Sequence, residues 1–380
     1  MTRAARTRRR CLGLVLAAIV SASCAATRAG GGASVGPTAA PAADAWQKDT
    51  LLGKKGFWAL TFVLEPDYDG PVSATFVRRP LHRERECAVL YLHGYVDYFF
   101  QAHLADYYQY TLAGGQSGKG CDFFALDLRK YGRSLPLHYK YPNFAKNLDE
   151  YYPEITKALT MIRGEGYPFV ILNGHSTGAL TAARYLQDGQ ERGVVDAAFL
   201  NSPFLDFNDR DLSGFEERIA RTFGKIAPHS KQKSPVPLWY ALSLLKSGPS
   251  CRDCHGRWVF DTNLKKVDGF PVFLGWVRAI AVAQDKVRRG GIDQPVLILH
   301  SARSNDGADK SWHEEYRQAD LVLDVEDMKR EGKALGRQVT IGAIEGGVHD
   351  LVLSDADPQA SVFAEVTAWL RGLPGNPVGQ

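Results

Sequence analysis

Neither sign of charge is in excess once the first 23 residues are set aside. Five arginines (Arg3, Arg6, Arg8, Arg9, Arg10) and no acid lie there, out of 46 basic against 42 acidic residues in the chain. The remainder is one charge from balance, so nothing in it calls for nucleic acid as a partner. The apolar run at residues 11–20 (CLGLVLAAIV) is half the roughly 20 residues a bilayer-spanning helix needs, which excludes a permanent span there. No second CxxC and no paired histidines accompany Cys251-Arg-Asp-Cys254, although His255 is adjacent. A zinc set is therefore incomplete, and no metal or cofactor is expected. No internal repeat is visible. What the chain does have is an ordinary globular composition, 45% hydrophobic and 23% charged. Its 16 Tyr, 18 Phe and 7 Trp suffice for a sizeable core and an apolar pocket.

A basic region, the short apolar run and the small residues Ser21, Ala22 and Ser23 make the pattern of an export signal over residues 1–23. Thr7-Arg8-Arg9-Arg10-Cys11-Leu12 is similar to a twin-arginine signal, and an ordinary secretory signal fits as well. Cys24 follows Ala22-Ser23 in the manner of a bacterial lipobox, with Ser21 where Leu is preferred. Lipidated, Cys24 would tether the protein to a membrane face. Residues 24–45, rich in Ala, Gly and Pro, read as a flexible linker. The expected location is outside the cytosol, secreted, periplasmic or membrane-anchored.

Four further cysteines fit an oxidising compartment. Cys87 lies six residues before His93, and Cys121 six before Asp127. Both open neighbouring predicted strands at similar depth, so a Cys87–Cys121 bond is expected. Cys251 and Cys254 are expected to form a local disulfide in a loop.

Apolar runs at 58–64, 71–77, 88–92, 123–126, 169–172, 197–200, 295–299 and 339–343 read as strands. Several are apolar on both faces, which is the mark of a buried parallel sheet. Helical patterns fit between them at 101–112, 148–163, 176–187, 325–335 and 360–371. The alternation predicts an α/β doubly wound fold. Between 205 and 291 the rhythm breaks, and that stretch is expected to be a helical cap inserted between core segments 46–204 and 292–380.

The chemistry centres on Gly174-His175-Ser176-Thr177-Gly178, a G-x-S-x-G between a predicted strand and a predicted helix. That turn must be tight enough to lift a serine hydroxyl above the sheet, and the glycines prevent clashes there. A serine hydroxyl needs a positioned base. His349, in Gly346-Gly347-Val348-His349-Asp350 between the last strand and the closing helix, is the best placed histidine. The orienting acid should follow the strand ending at Leu299. Asp320 is the first choice, just ahead of the helix at Val325, and Asp306 is the second. Asp324 can instead cap that helix. A tetrahedral intermediate needs two backbone N–H donors, expected from Thr177 and from Tyr95, with Gly94 allowing close approach.

These residues give the chain a resemblance to α/β-hydrolases of the serine aminopeptidase and monoacylglycerol lipase type, a group that includes lysophospholipase-like enzymes. The resemblance rests on Leu92-His93-Gly94, Asp127-Leu-Arg129-Lys-Tyr131-Gly132-Arg133-Ser134, Gly174 to Gly178, the strand at 295–299, Asp320 and His349. It implies a supporting role for His93 and for the Asp127 loop, in which Lys130 stands where the family has Gly. It also implies an acyl ester as substrate and a cap that shapes the acyl pocket. The expected activity is ester hydrolysis through an acyl-enzyme. Peptidase, thioesterase and acyltransferase activities use the same machinery, and a non-catalytic tethered binding protein would be a different class altogether.

Overall fold

A computed structural model describes residues 45–80, 85–112, 120–135, 139–207, 221–232, 236–249 and 251–376, which belong to one compact unit within Pro41–Gln380. Cys24, the export signal and residues 24–44 of the linker lie outside them.

The eight apolar runs, with Gln47–Lys48 added at one edge, form a nine-stranded sheet. β1 (Gln47–Lys48), β2 (Trp58–Val63) and β3 (Ser73–Arg78) make an antiparallel edge. β3 joins β5 (Asp122–Asp127) antiparallel. From β5 onward, β4 (Cys87–Leu92), β6 (Phe169–His175), β7 (Ala197–Asn201), β10 (Val296–Ser301) and β11 (Val339–Ile344) run parallel. The central strands β4, β5, β6, β7 and β10 are buried at every position. β2 instead alternates, as an antiparallel strand with one open face should.

Successive side chains on a strand face opposite ways. Leu90, Leu92, Phe124, Leu126, Val170, Leu172, Ala198 and Leu200 therefore join one apolar cluster, with the helices Tyr152–Gly164, Thr177–Asp188 and Leu274–Val287. Val89, Tyr91, Phe123, Ala125, Ile171, Phe199, Leu297 and Leu299 join the other, against Ala102–Asp106 and Ala356–Arg371. Both disulfides are present. Cys87–Cys121 links the starts of adjacent β4 and β5, and Cys251–Cys254 closes a loop.

Two local differences from the periodicity have physical reasons. The pattern at 148–163 splits into a 3-10 turn, Leu148–Tyr151, and the helix Tyr152–Gly164, because Pro153 in the first helical turn supplies no N–H. The last helix of the 205–291 stretch, Leu274–Val287, packs on the core through Trp276, Val277, Ile280, Ala283 and Val287. Among the described residues of the insertion only the short β9 (Val272–Phe273), paired with β8 (Lys231–Gln232), precedes it, so the strand–helix rhythm hides it. The helix Leu238–Leu244 and the Cys251–Cys254 loop also belong to the insertion.

In the parallel part of the sheet the carboxyl ends of the strands line up. Leu92 pairs with Gly174, Gly174 with Leu200, and His175 with Asn201. The loops that leave this edge therefore meet at one place, where open α/β sheets carry their sites.

Candidate active site

β6 ends at His175, and the next residue turns sharply into the helix Thr177–Asp188. Ser176 makes that turn at φ 55° and ψ −117°, a combination that side chains rarely adopt. The flanking glycines make it possible. A Cβ on Gly174 would stand 2.6 Å from the Ala179 Cα, and one on Gly178 only 2.2 Å from the His93 carbonyl oxygen. Both contacts are below any tolerable carbon approach. Here glycine serves proximity, since neither position has positive φ.

Ser176 Oγ lies 3.0 Å from His349 Nε2, and His349 Nδ1 lies 2.8 Å from Asp320 Oδ2. Asp320 is wholly buried, His349 is 2% exposed and Ser176 6%. The other Asp320 oxygen accepts the N–H groups of Val322 and Leu323, each at 2.8 Å. These two backbone donors fix the direction of the carboxylate toward His349. Asp306 is exposed and turns to the Ala308 N–H of its own loop. Asp324 accepts from Glu326 N–H and caps the helix Val325–Gly332.

Thr177 is the first residue of its helix, so its N–H has no acceptor within it. Tyr95 lies on the loop after β4, where a Cβ on Gly94 would come within 3.1 Å of the Ser176 Cβ. Three supports hold that loop. His93 Nε2 accepts from Leu128 N–H, so its Nδ1 carries the proton and donates to the Gly94 carbonyl. Asp127 accepts from the N–H groups of Phe99 and Arg133. The Arg133 guanidinium bridges Asp127, Asp49 and the Phe99 carbonyl. Lys130 adopts φ 66°, the left-handed region that suits the glycine usual at this point. Its buried ammonium is held by Asp67 and Asp69, each at 2.7 Å.

Beneath the serine lies a buried polar cluster that the sequence does not announce. Asp97, His175 and Asp350 offer ligand atoms within 4.8 Å of one another. The cation beside them is the ammonium of buried Lys265, 3.1 Å from Asp97 Oδ1. Asp350, the neighbour of His349, accepts from Asn201 and Gln101 side chains at 2.7 and 3.1 Å. Burial raises its carboxyl, but the His175 ring, the Lys265 ammonium and those two amides outweigh burial and hold it below the ordinary range. Burial pushes the His175 imidazole down to about 3, so the ring is neutral near pH 7. Burial also raises the Asp97 carboxyl, with Lys265 opposing. Asp350 and His175 adjoin motif residues, which is a weak signal. Lys265 sits in the insertion, and nothing in its neighbourhood marks it.

A family model described as "Serine aminopeptidase, S33", a hydrolase family, matches residues 83–308, more than half of the chain. The chain belongs to that family. The matched stretch of this S33-family hydrolase contains Ser176, and Asp320 and His349 lie beyond it. Among solved structures, the chain is similar to a soluble variant of monoglyceride lipase from Saccharomyces cerevisiae. Identity is 16% over 82% of this chain and 94% of that one, with a TM-score of 0.53. A monoacylglycerol lipase from Paleococcus ferrophilus gives 15% over 82% and 97%, with a TM-score of 0.52. At such identities the likeness shows the fold, an α/β-hydrolase fold. No curated protein matches. Two surface clefts of the hydrolase lie away from this site. One, of about 460 Å³ and lined by Arg163, Pro168 and Asp196, opens at the amino ends of β6 and β7, opposite the serine. The other, of about 410 Å³, is lined by Lys55, Arg79 and Tyr110.

Proposed function

We propose that the chain is a serine carboxylic-ester hydrolase in which Ser176 is nucleophile, His349 general base and Asp320 orienting acid. The single observation that carries this reading is the continuous path from Ser176 Oγ through His349 to Asp320, at 3.0 and 2.8 Å. Ser176 Oγ attacks the ester carbonyl while His349 Nε2 takes its proton. Asp320 keeps the proton of His349 on Nδ1, which leaves Nε2 free to accept. The oxyanion is met by the backbone N–H groups of Tyr95 and Thr177. Collapse expels the alcohol, protonated by His349, and leaves an acyl-serine. Water, deprotonated by the same imidazole, then releases the acid and restores Ser176. No step needs a metal or cofactor.

An acyl ester with an apolar acyl group is the substrate class favoured by the surroundings. The Tyr95 ring packs on Trp276 at 4.3 Å, and Tyr240 meets the His349 ring edge-on at 5.5 Å. Membership of a hydrolase family supports the reaction type. A panel of p-nitrophenyl esters of rising chain length, set beside aminoacyl p-nitroanilides, tests the reading. Turnover of the esters, preferred over the anilides and abolished in Ser176→Ala and His349→Ala with folding unchanged, is expected. Near-normal ester hydrolysis by either variant would remove that residue from the mechanism.

A further inference from the structure

The loop at 94–100 is supported from the sheet by His93, Asp127 and Arg133, and from the insertion by a separate set of contacts. Asp261 N–H donates to the Tyr98 hydroxyl at 2.7 Å, and Phe260 packs on Phe100 at 5.2 Å. Lys265, four residues on, reaches Asp97 at 3.1 Å. Both ends of that ion pair are buried, Lys265 at 4% exposure and Asp97 at 1%. The ammonium sits among the rings of Phe100, Tyr240 and Phe260, 5.7–6.0 Å from their centroids. Tyr240 is also the ring that meets His349.

The place of this pair matters more than its strength. A buried ion pair is weak grounds for stability, because desolvation offsets attraction, and apolar replacements often do as well. Its best-attested use is to fix a register or an arrangement. Here Asp97 follows Val96, a β-branched residue at φ 51°. That conformation is an outlier for such a side chain and persists only where the surroundings over-determine it. Asp97 Oδ1 also accepts the next N–H, of Tyr98, at 2.9 Å. The carboxylate is thus tied to the backbone on one side of the strained turn, with the Tyr95 amide on the other.

We propose that Asp97 and Lys265 are a positioning pair: the insertion's ammonium holds the carboxylate, and through it the turn at Val96 that directs the Tyr95 N–H at the reacting oxygen. This rests on the serine-hydrolase reading above. Neither residue touches substrate. Loss of the pair lets the turn relax, and the transition state loses a donor that the ground state scarcely uses.

The test compares Asp97→Asn, Lys265→Met and the double variant. Melting temperature is measured first, then kcat and KM on a p-nitrophenyl ester, then the affinity of a trifluoromethyl ketone, which forms a tetrahedral adduct with serine. A single variant leaves an unpaired group in the core and can fail to fold, but the double variant removes both charges and decides the matter. The expected result is a folded double variant with kcat lowered about 10- to 100-fold, KM within about twofold, and ketone affinity lowered in step with kcat. The two single changes, where folded, should not add, since each breaks the same tie. Near-normal kcat in the double variant overturns the proposal. So does a change confined to KM. A double variant that does not fold also overturns it, since the pair then holds the fold instead of aiming a donor. If the wild-type enzyme does not react with a fluorophosphonate at Ser176, the serine-hydrolase reading fails. Wild-type labelling with unaffected variants sinks only the role of the pair.

Discussion

Ser176 holds a conformation that side chains enter only under constraint, and its neighbours supply the constraint residue by residue. Its own amide donates to the Asn201 carbonyl at 3.0 Å, and its carbonyl accepts from Ala179, Leu180 and Phe204. The candidate acid is equally fixed. Three donors converge on Asp320, two backbone amides and the His349 ring. Replacing it by Asn removes the charge that orients the imidazole and stabilises imidazolium. We expect Asp320→Asn to lower kcat by roughly 10³- to 10⁴-fold with folding retained. Asp306→Asn should stay within about twofold, because its side chain turns to its own exposed loop. Steady-state kinetics on a p-nitrophenyl ester separates the two, and the reverse ranking would move the acid to Asp306. In the sequence only its place just ahead of the helix at Val325 favours Asp320 over Asp306, while Asp324 reads as the cap of that helix. What distinguishes Asp320 is a pairing through space: Asp320 N–H donates to Arg303 and Asn305 N–H donates to Asp320. Those contacts fold the long connection back on itself, and no local pattern of residues encodes them.

At the scale of elements, the strand–turn–helix around Ser176 depends on close approach between backbones. The helix Thr177–Asp188 lies so near β4 that Gly178 meets the carbonyls of Leu92 and His93. We expect Gly178→Ala to push that helix from the sheet, lowering stability by about 1–3 kcal/mol and abolishing most ester turnover. Thermal unfolding and kinetics check both effects; wild-type activity in Gly178→Ala would mean that the helix can retreat without moving Ser176. The elements themselves are well marked in the sequence. Continuous apolar runs give the buried strands, and the glycines of G-x-S-x-G give the bend. The insertion is poorly marked, for a physical reason. Its docking uses single contacts spread along the chain, such as Trp258 Nε1–H to the Leu353 carbonyl and Lys265 to Asp97, instead of a periodic apolar face. The helix Leu274–Val287 is periodic, yet only the two-residue β9 introduces it.

Across the whole molecule, burial of ionisable groups sets how the fold responds to acid. Burial holds His175 at about 3 and His103 at about 4, against 6.5 for a free imidazole. Below about pH 6.5 the unfolded chain takes up protons that these folded sites refuse, so stability falls with pH. The loss from His103 is complete near pH 4 and that from His175 near pH 3. Asp49, Asp149 and Asp350, held below their ordinary range, add to the loss at the acid end, while Asp97, Glu150, Asp196, Asp206 and Asp327, raised by burial, oppose it. Melting temperatures between pH 7 and pH 4 should therefore decline, and His103→Gln should flatten part of that slope. A slope left unchanged by His103→Gln would show that its ring is not held neutral.

Activation of Ser176 as a nucleophile by His349 is the proposal on which the rest depends. Labelling with a fluorophosphonate, followed by mass spectrometry of the peptides, tests it most directly. We expect one adduct, on Ser176, absent from Ser176→Ala and formed far more slowly by His349→Ala. An adduct on another residue, or labelling of His349→Ala at the wild-type rate, would contradict it.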